Sequence, residues 1–275
     1  MPPPFTHTRP AAFAGTFYPD SPESLTREIS RLFAGHPLKR TTLAGQCPKA
    51  IIVPHAGYIY SGAVAASAFS LLGPLRGKVQ RVVLLGPAHR ALLHGLALPA
   101  CDCDAFVTPL GSVPIDRQAV AEIEKLPQVI SSDAAHAHEH CLEVAIPFLQ
   151  HVLGDFSLLP ILVGQVQPAA VAEVLERLWG DEKTLILVSS DLSHYLPYEK
   201  AQMIDSKTAK QILALDPTLD HNQACGATPV NGLLLVARKL GLHAQQLDLR
   251  NSGDTAGDHA RVVGYGAFAF FDVQK

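Results

Sequence analysis

The chain has 275 residues, of which 48% are hydrophobic and 17% charged. That composition excludes disorder, coiled coil and fibre as whole-chain descriptions, and the length lets a domain bury most of its apolar surface without staples. With 22 Lys and Arg against 25 Asp and Glu, the net charge of −3 gives no excess that points to nucleic acid or to an acidic membrane surface.

The apolar runs, such as Val82–Leu85 and Leu233–Ala237, fall far short of the roughly 20 residues a membrane span needs. The N-terminus, MPPPFTHTRP, lacks the basic-then-apolar layout of a secretory signal. Five irregularly spaced cysteines make no disulfide framework, so the expectation is a reduced, cytoplasmic protein. The 13 histidines are the unusual feature, because several stand at the ends of apolar runs.

Residues 1–10, rich in proline, are read as a flexible N-terminus. A first helix is expected to start near Asp20–Ser21, with Pro22 in its opening turn and Gly35 as its stop. Buried strands are expected at Ala50–Val53, Arg81–Leu85, Ser157–Val163, Thr184–Ser189 and Val262–Phe271. Between them, helical spacing covers Ser61–Leu72, Asp116–Leu126, His140–Leu153, Pro168–Trp179, Tyr198–Leu215 and Thr228–Leu240. Pro147 requires the third of these to kink or to begin later. The alternation predicts a single α/β domain over 1–275, with a central mostly parallel or mixed sheet and helices on both faces.

Three of the strands run into histidine. Ile51-Ile52-Val53-Pro54 leads to His55, Val82–Leu85 passes Gly86 and Pro87 to His89, and Leu185–Val188 passes Ser189 and Ser190 to Asp191 and His194. Ligands of open α/β sheets bind at the carboxyl ends of strands, so these residues form a candidate site. Imidazoles suit iron, copper or zinc, and Cys225 is the best thiol to complete a set. Its place just before a helix favours a thiolate. A small buried hydrophobe is the competing reading, and spacing alone does not decide between them.

Asp191 lies three residues before His194 and is placed to hold its ring, which would make His194 a general acid/base. Capping by Asp191 of a following helix is the bland alternative. In His136-Ala137-His138-Glu139-His140-Cys141, second-shell or substrate contacts by Glu139 and His140 rank above direct ligation. Cys101-Asp102-Cys103 reads as a loop, as does Ser252–Asp258. No nucleophile elbow surrounds Ser189, Ser190 and Ser193.

Several stretches together resemble the Memo family, whose prokaryotic members are often called AmmeMemoRadiSam system protein B. They are AGTFYP at 14–19, VPHAGYIYSG at 53–62, LGPAH at 85–89, EHCLEVAIPFLQ at 139–150, SSDLSHY at 189–195, ACGATPV at 224–230, SGDTAGD at 252–258 and VVGYGAF at 262–268. They occur in order and cover nearly the whole chain. The resemblance implies a fold similar to that of class III extradiol dioxygenases. It also implies metal ligands at His55, His89 and Cys225, an acid/base at His194 beside Asp191, and a pocket lined by Phe17 and Tyr60. Phe17 replaces a tryptophan of animal members. The dioxygenases carry glutamate where the Memo family has cysteine, and sulfur shifts preference toward copper, zinc or differently tuned iron.

The leading expectation is a metal-binding, oxidoreductase-like protein that uses iron(II) or copper, with zinc also suited. The alternative is a metal-independent module for peptides or anions, since animal members are linked to phosphotyrosine peptides. The prokaryotic name adds radical-SAM and AMMECR-type companion proteins as expected partners, acting on an unknown small-molecule or peptide ligand.

Overall fold

The computed structural model describes residues 5, 7–35 and 46–273. In chain order the first elements are β1 (Thr8–Arg9), α1 (Pro22–Ala34), β2 (Ala50–Val53), α2 (Tyr58–Phe69), β3 (Arg81–Pro87), β4 (Leu96–Leu98), β5 (Ala105–Thr108) and β6 (Gly111–Pro114). Next come α3 (Arg117–Ile123), β7 (Val129–Ser131), α4 (Asp133–Ala137), α5 (Ile146–Leu153), β8 (Ser157–Val163), α6 (Pro168–Leu178) and β9 (Thr184–Ser189). The chain ends through β10 (His194–Leu196), α7 (Tyr198–Leu213), α8 (Ala227–Leu240), β11 (His243–Asn251), α9 (Ser252–Thr255) and β12 (Val262–Phe271).

The main sheet has the order β10-β12-β2-β9-β3-β8-β4-β7, with β11 also paired to β12. Its centre, β2-β9-β3-β8, is parallel, and β10, β11 and β12 add antiparallel pairs at one end, so the sheet is mixed. Every residue of β2 and β9 is buried, on alternating faces of the sheet, which requires cover on both sides. Helix α8 packs against β3 and β9 with α6 behind it, while α2 and α7 pack against β11 and β12. A separate small sheet joins β1, β5 and β6.

Local chemistry explains the boundaries. Ser21 caps α1 by accepting from the Ser24 N–H, and Leu25, Ile29, Leu32 and Phe33 form its buried stripe. The helix expected over His140–Leu153 begins later: a 3₁₀ turn spans Glu143–Ala145 and α5 opens with Pro147 in its first turn, where no N–H is needed. Helix α2 starts at Tyr58, earlier than helical spacing alone suggests, and continues into a 3₁₀ turn at Ser70–Leu75. The run Tyr58–Leu75 is long and apolar enough to cross a membrane by composition, yet 67% of it is buried against the rest of the protein, as suits a core helix.

Two readings need correction. The N-terminus is not loose throughout residues 1–10, because Thr8 and Arg9 pair with β5 and Arg9 is buried in a polar network. The Ser252–Asp258 segment contains α9, closed by a capping box between Asn251 and Asp254. Strand β11 has no apolar run to announce it, because it lies outside the main strand path and is only half covered. All five cysteines are free.

Candidate metal centre

Strands β2, β9 and β3 are parallel neighbours, so their carboxyl ends open side by side. That geometry delivers His55 from β2, Asp191 from β9 and His89 from β3 to one edge of the sheet. His194 does not extend β9. It opens β10 after a short loop and reaches the same cleft from the side.

His55 is buried, and its Nδ1 lies 2.7 Å from Ser189 Oγ. The Ser189 hydroxyl donates its one proton to the Cys141 carbonyl at 2.6 Å, so Oγ must accept from His55 Nδ1–H. Nε2 is therefore left without a proton. Burial first, then the neighbouring His140 and His89 imidazoles, hold the His55 pKa well below its ordinary value, which keeps the ring neutral.

His89 is oriented by Glu139. Its N–H donates to Oε2 at 2.6 Å and its Nδ1 lies 2.9 Å from Oε1. Burial works to raise the Glu139 pKa, but the adjacent His140 and His89 rings and the His89 N–H outweigh it and hold the carboxyl far below the usual range. An ionised Glu139 accepts a hydrogen bond from His89 Nδ1–H, so the neutral ring leaves Nε2 bare, a carboxylate–histidine arrangement that raises the basicity of that nitrogen. The His140 N–H donates to Oε1 at 3.0 Å. His140 Nδ1 lies 3.1 Å from that oxygen without hydrogen-bonding alignment and is buried without a partner.

The three rings converge. Centroids of His55, His89 and His140 are 4.9–5.3 Å apart pairwise. Among the described residues, one ligand atom from each lies within 4.8 Å of the other two, and the set His89, Glu139 and Cys141 meets the same test. His140, ranked for substrate contact or support of a ligand, thus stands among the candidate ligands, while Glu139, also in a candidate set, holds the His89 ring from behind. No sequence spacing announces this, because His140 is brought in by the turn before α5 rather than by a strand end.

Cys225 falls in neither set, but its Sγ is 3.4 Å from His55 Nε2. A tetrahedral metal bound at ordinary Zn–N and Zn–S distances separates N and S by about 3.5 Å, so this pair has the spacing of two donors on one ion. The expected lowering of the thiol pKa by the start of α8 does not prevail. Burial, followed by Asp191, pushes Cys225 up to about 12. The donor set therefore fits a borderline or soft transition metal, whose charge would favour the thiolate.

Asp191 does not hold His194, contrary to the expectation from spacing. It accepts from the His55 N–H at 2.8 Å, and its second oxygen is 4.0 Å from His55 Nε2. Burial raises its pKa, against the backbone N–H groups of His55 and Ala56. No helix follows β9 for it to cap. His194 is instead held by a carbonyl: its Nδ1 lies 2.8 Å from Leu192 O, so that nitrogen carries the proton and Nε2 is free.

A cleft of about 700 Å³ joins these parts. His55, His89, His140, Asp191 and His194 line it, with Phe17 and Tyr60 as the aromatic wall that the family resemblance implies. Phe17 also packs on the His140 ring, at a centroid distance of 4.8 Å. Cys225 instead lines an adjoining cleft of about 630 Å³ that shares His89. Tyr195, Arg261, Tyr265 and Arg90 also line the cleft, and strand and loop spacing carry no signal for them.

A buried polar clamp supports the centre. Arg9 donates to the His136 and Glu139 carbonyls, each at 2.8 Å, and pairs with Glu143. Glu143 also accepts from the Ala12 and Phe13 N–H groups and the Tyr18 hydroxyl. The segment that carries Phe17 is thereby tied to the segment that carries Glu139 and His140.

The chain is similar to known proteins along nearly its whole length. A family profile described as Memo-like protein matches residues 9–269. A MEMO1 family protein of Ignicoccus hospitalis is 39% identical, over 95% of this chain and 98% of its own. One from Methanopyrus kandleri is 36% identical over the same shares, and one from Aquifex aeolicus is 37% identical over 94% of this chain and 97% of its own. A solved structure, an uncharacterized protein (JW3007) of Escherichia coli K12, superposes with a TM-score of 0.48 at 15% identity, covering 79% of this chain and 98% of that one. The chain belongs to the Memo family.

Proposed function

We propose that the protein is a metal-dependent oxidoreductase whose centre is held by His55 and His89. Cys225 or His140 completes the set. Iron(II) and copper suit these donors best, and zinc is also accommodated. The observation that carries this reading is the set of tautomers. Ser189, Glu139 and the Leu192 carbonyl each accept from an Nδ1–H, so the neutral rings of His55, His89 and His194 all present Nε2 without a proton.

A bound redox metal would supply electron exchange with the substrate or dioxygen, and zinc would supply Lewis acidity instead. The protein's own groups do the rest. Glu139 orients His89 and raises its basicity. Phe17 and Tyr60 flank the substrate. His194 Nε2 accepts a proton from an acidic substrate hydroxyl and returns it later, with its ring fixed by Leu192 rather than by Asp191. Memo resemblance to class III extradiol dioxygenases supports an oxidative reaction. Radical-SAM and AMMECR-type companions belong to the proposal on the same ground, and cytoplasmic residence belongs to it on the cysteine pattern. Retention of peptides or anions without metal is the second reading, favoured by Arg90 and Arg261 in the same cleft.

The test is anaerobic purification and elemental analysis of wild type, His55→Ala, Cys225→Ser and His140→Ala. Near-stoichiometric iron or copper in wild type that is lost in His55→Ala is the expected result. Retention in either Cys225→Ser or His140→Ala identifies the other as the third ligand. Wild type that takes up no metal under anaerobic loading overturns the proposal.

A further inference from the structure

The donors of the centre stand between two clefts. His89 lines both of them. His55, His140, Asp191 and His194 face the aromatic cleft, whereas Cys225 faces the second one, of about 630 Å³. Cys225 Sγ is nevertheless 3.4 Å from His55 Nε2, so the donor group is the partition between the clefts and is approached from either side. The proposed chemistry uses the aromatic side and gives the second cleft no task.

The two approaches differ in charge. Arg90 and Arg261 line the aromatic cleft, and among the described residues neither has a carboxylate within ion-pair distance. Of the acids there, Asp191 is turned to His55, and Asp258 accepts from the Ala260 N–H. Among the described residues, no Lys, Arg, Asp or Glu lines the second cleft. Besides His89 and Cys225, its polar groups include the Gln165 amide, the Thr228 hydroxyl and the His221 imidazole, whose Nε2 is 3.5 Å from Thr228 Oγ1. The space suffices for an ion with its water, since six waters take about 180 Å³ at about 30 Å³ each.

We propose that the second cleft is the entrance through which a transition-metal ion reaches the centre, and that the aromatic cleft is left to the substrate. A cation that approaches through the aromatic cleft passes two guanidiniums, which repel it. One that approaches through the second cleft meets neutral oxygen and imidazole donors, which replace its waters in steps. Cys225 and His89 are the donors of the centre that face this path. As the metal–sulfur bond forms, a metal-bound water leaves and the thiol proton passes to water in the cleft. Entry from this side lets metal exchange proceed while substrate occupies the other. This inference rests on the metal reading of the site and adds the route by which the ion arrives.

The experiment adds cobalt(II) alone to the chelator-treated full chain at an ionic strength of about 0.1 M, where charges more than about 10 Å from the path are largely screened. Samples are quenched with excess chelator at timed intervals, and retained cobalt is read by elemental analysis. Leu92 lines the second cleft and is 82% exposed, so substitutions there leave the core untouched. Leu92→Arg should take up cobalt about threefold more slowly than wild type, and Leu92→Asp about threefold faster. Neutral Leu92→Gln should match wild type, and all should reach the same final content. Arg261→Gln, also a change of one charge but in the aromatic cleft, should leave the rate unchanged. Faster uptake by Arg261→Gln with the three Leu92 variants alike overturns the proposal, as does one common rate for all five proteins. Wild type that retains no cobalt overturns the metal reading itself, so the two failures are told apart.

Discussion

Glu139 and Asp191 are two acids at the same end of the sheet, 2% and 4% exposed, and burial acts on them alike. Their charge states nevertheless diverge. Glu139 accepts from the N–H groups of His89, His140 and Cys141 and from the His89 ring, and its carboxyl is held far below the usual range. Asp191 has the His55 and Ala56 N–H groups, with Cys225 Sγ nearby, and burial prevails to raise it. The difference teaches that burial alone does not decide the charge of a carboxyl; the number and aim of its donors do. It also separates the roles. Glu139 can act as a permanent anion behind a metal ligand, whereas Asp191 fixes the turn that carries His55.

The strongest way to break this comparison is to remove the frame behind Glu139. Arg9→Ala leaves the fully buried Glu143 without its cation and frees the Glu139 carbonyl, and should cost about 3–5 kcal/mol in denaturant unfolding. A cost below about 1 kcal/mol would show that the clamp does not support the site.

Another buried acid, Asp205, tests the donor argument away from the centre. It accepts from the Ser193 N–H at 3.0 Å, and burial pushes its pKa up to about 6. Its folded pKa lies above the unfolded value near 4, so its favourable contribution is complete below about pH 4 and is lost as pH rises through 6. Asp205→Asn should therefore remove a loss of about 2–3 kcal/mol between those limits. Parallel stability–pH curves for mutant and wild type would contradict it.

Glu139→Gln keeps the shape but loses the charge behind His89, and should weaken metal affinity about 10–100-fold in competition titrations with a chelator. Asp191→Asn should give the smallest change, less than about 1 kcal/mol in stability near neutral pH, because an amide replaces a carboxyl whose charge is already disfavoured. Equal metal loss in both variants would erase the distinction between the two acids.

Much of this protein was legible in the chain itself. The parallel core strands announce themselves as continuous apolar runs because they are covered on both faces, and β2, β8, β9 and β12 lie at their expected residues. His55 and His89 are legible for the same reason: a buried strand must end before polar chemistry starts, so the residue after the run sits at the sheet edge. Cys225 stands out by its place ahead of α8.

Other features have no local signature, because they depend on what tertiary packing brings near. Strand β11 is half covered and carries no apolar run. The spacing of Asp191 and His194 suggests a pair, yet the loop turns Asp191 to His55 and gives His194 to a carbonyl. Helix position predicts a lowered Cys225 pKa, yet desolvation overrides the helix. His140, Tyr195 and Arg261 enter the cleft through the loop after α4, a bulge and a second loop, none of which has a periodicity to read. Sequence alone determined which strands end at the candidate site, since burial of whole strands is a local property of composition. Tertiary structure decided which carbonyl or side chain orients each ring and which acid is charged, because partners such as Ser189 for His55 and Glu139 for His89 lie far away along the chain.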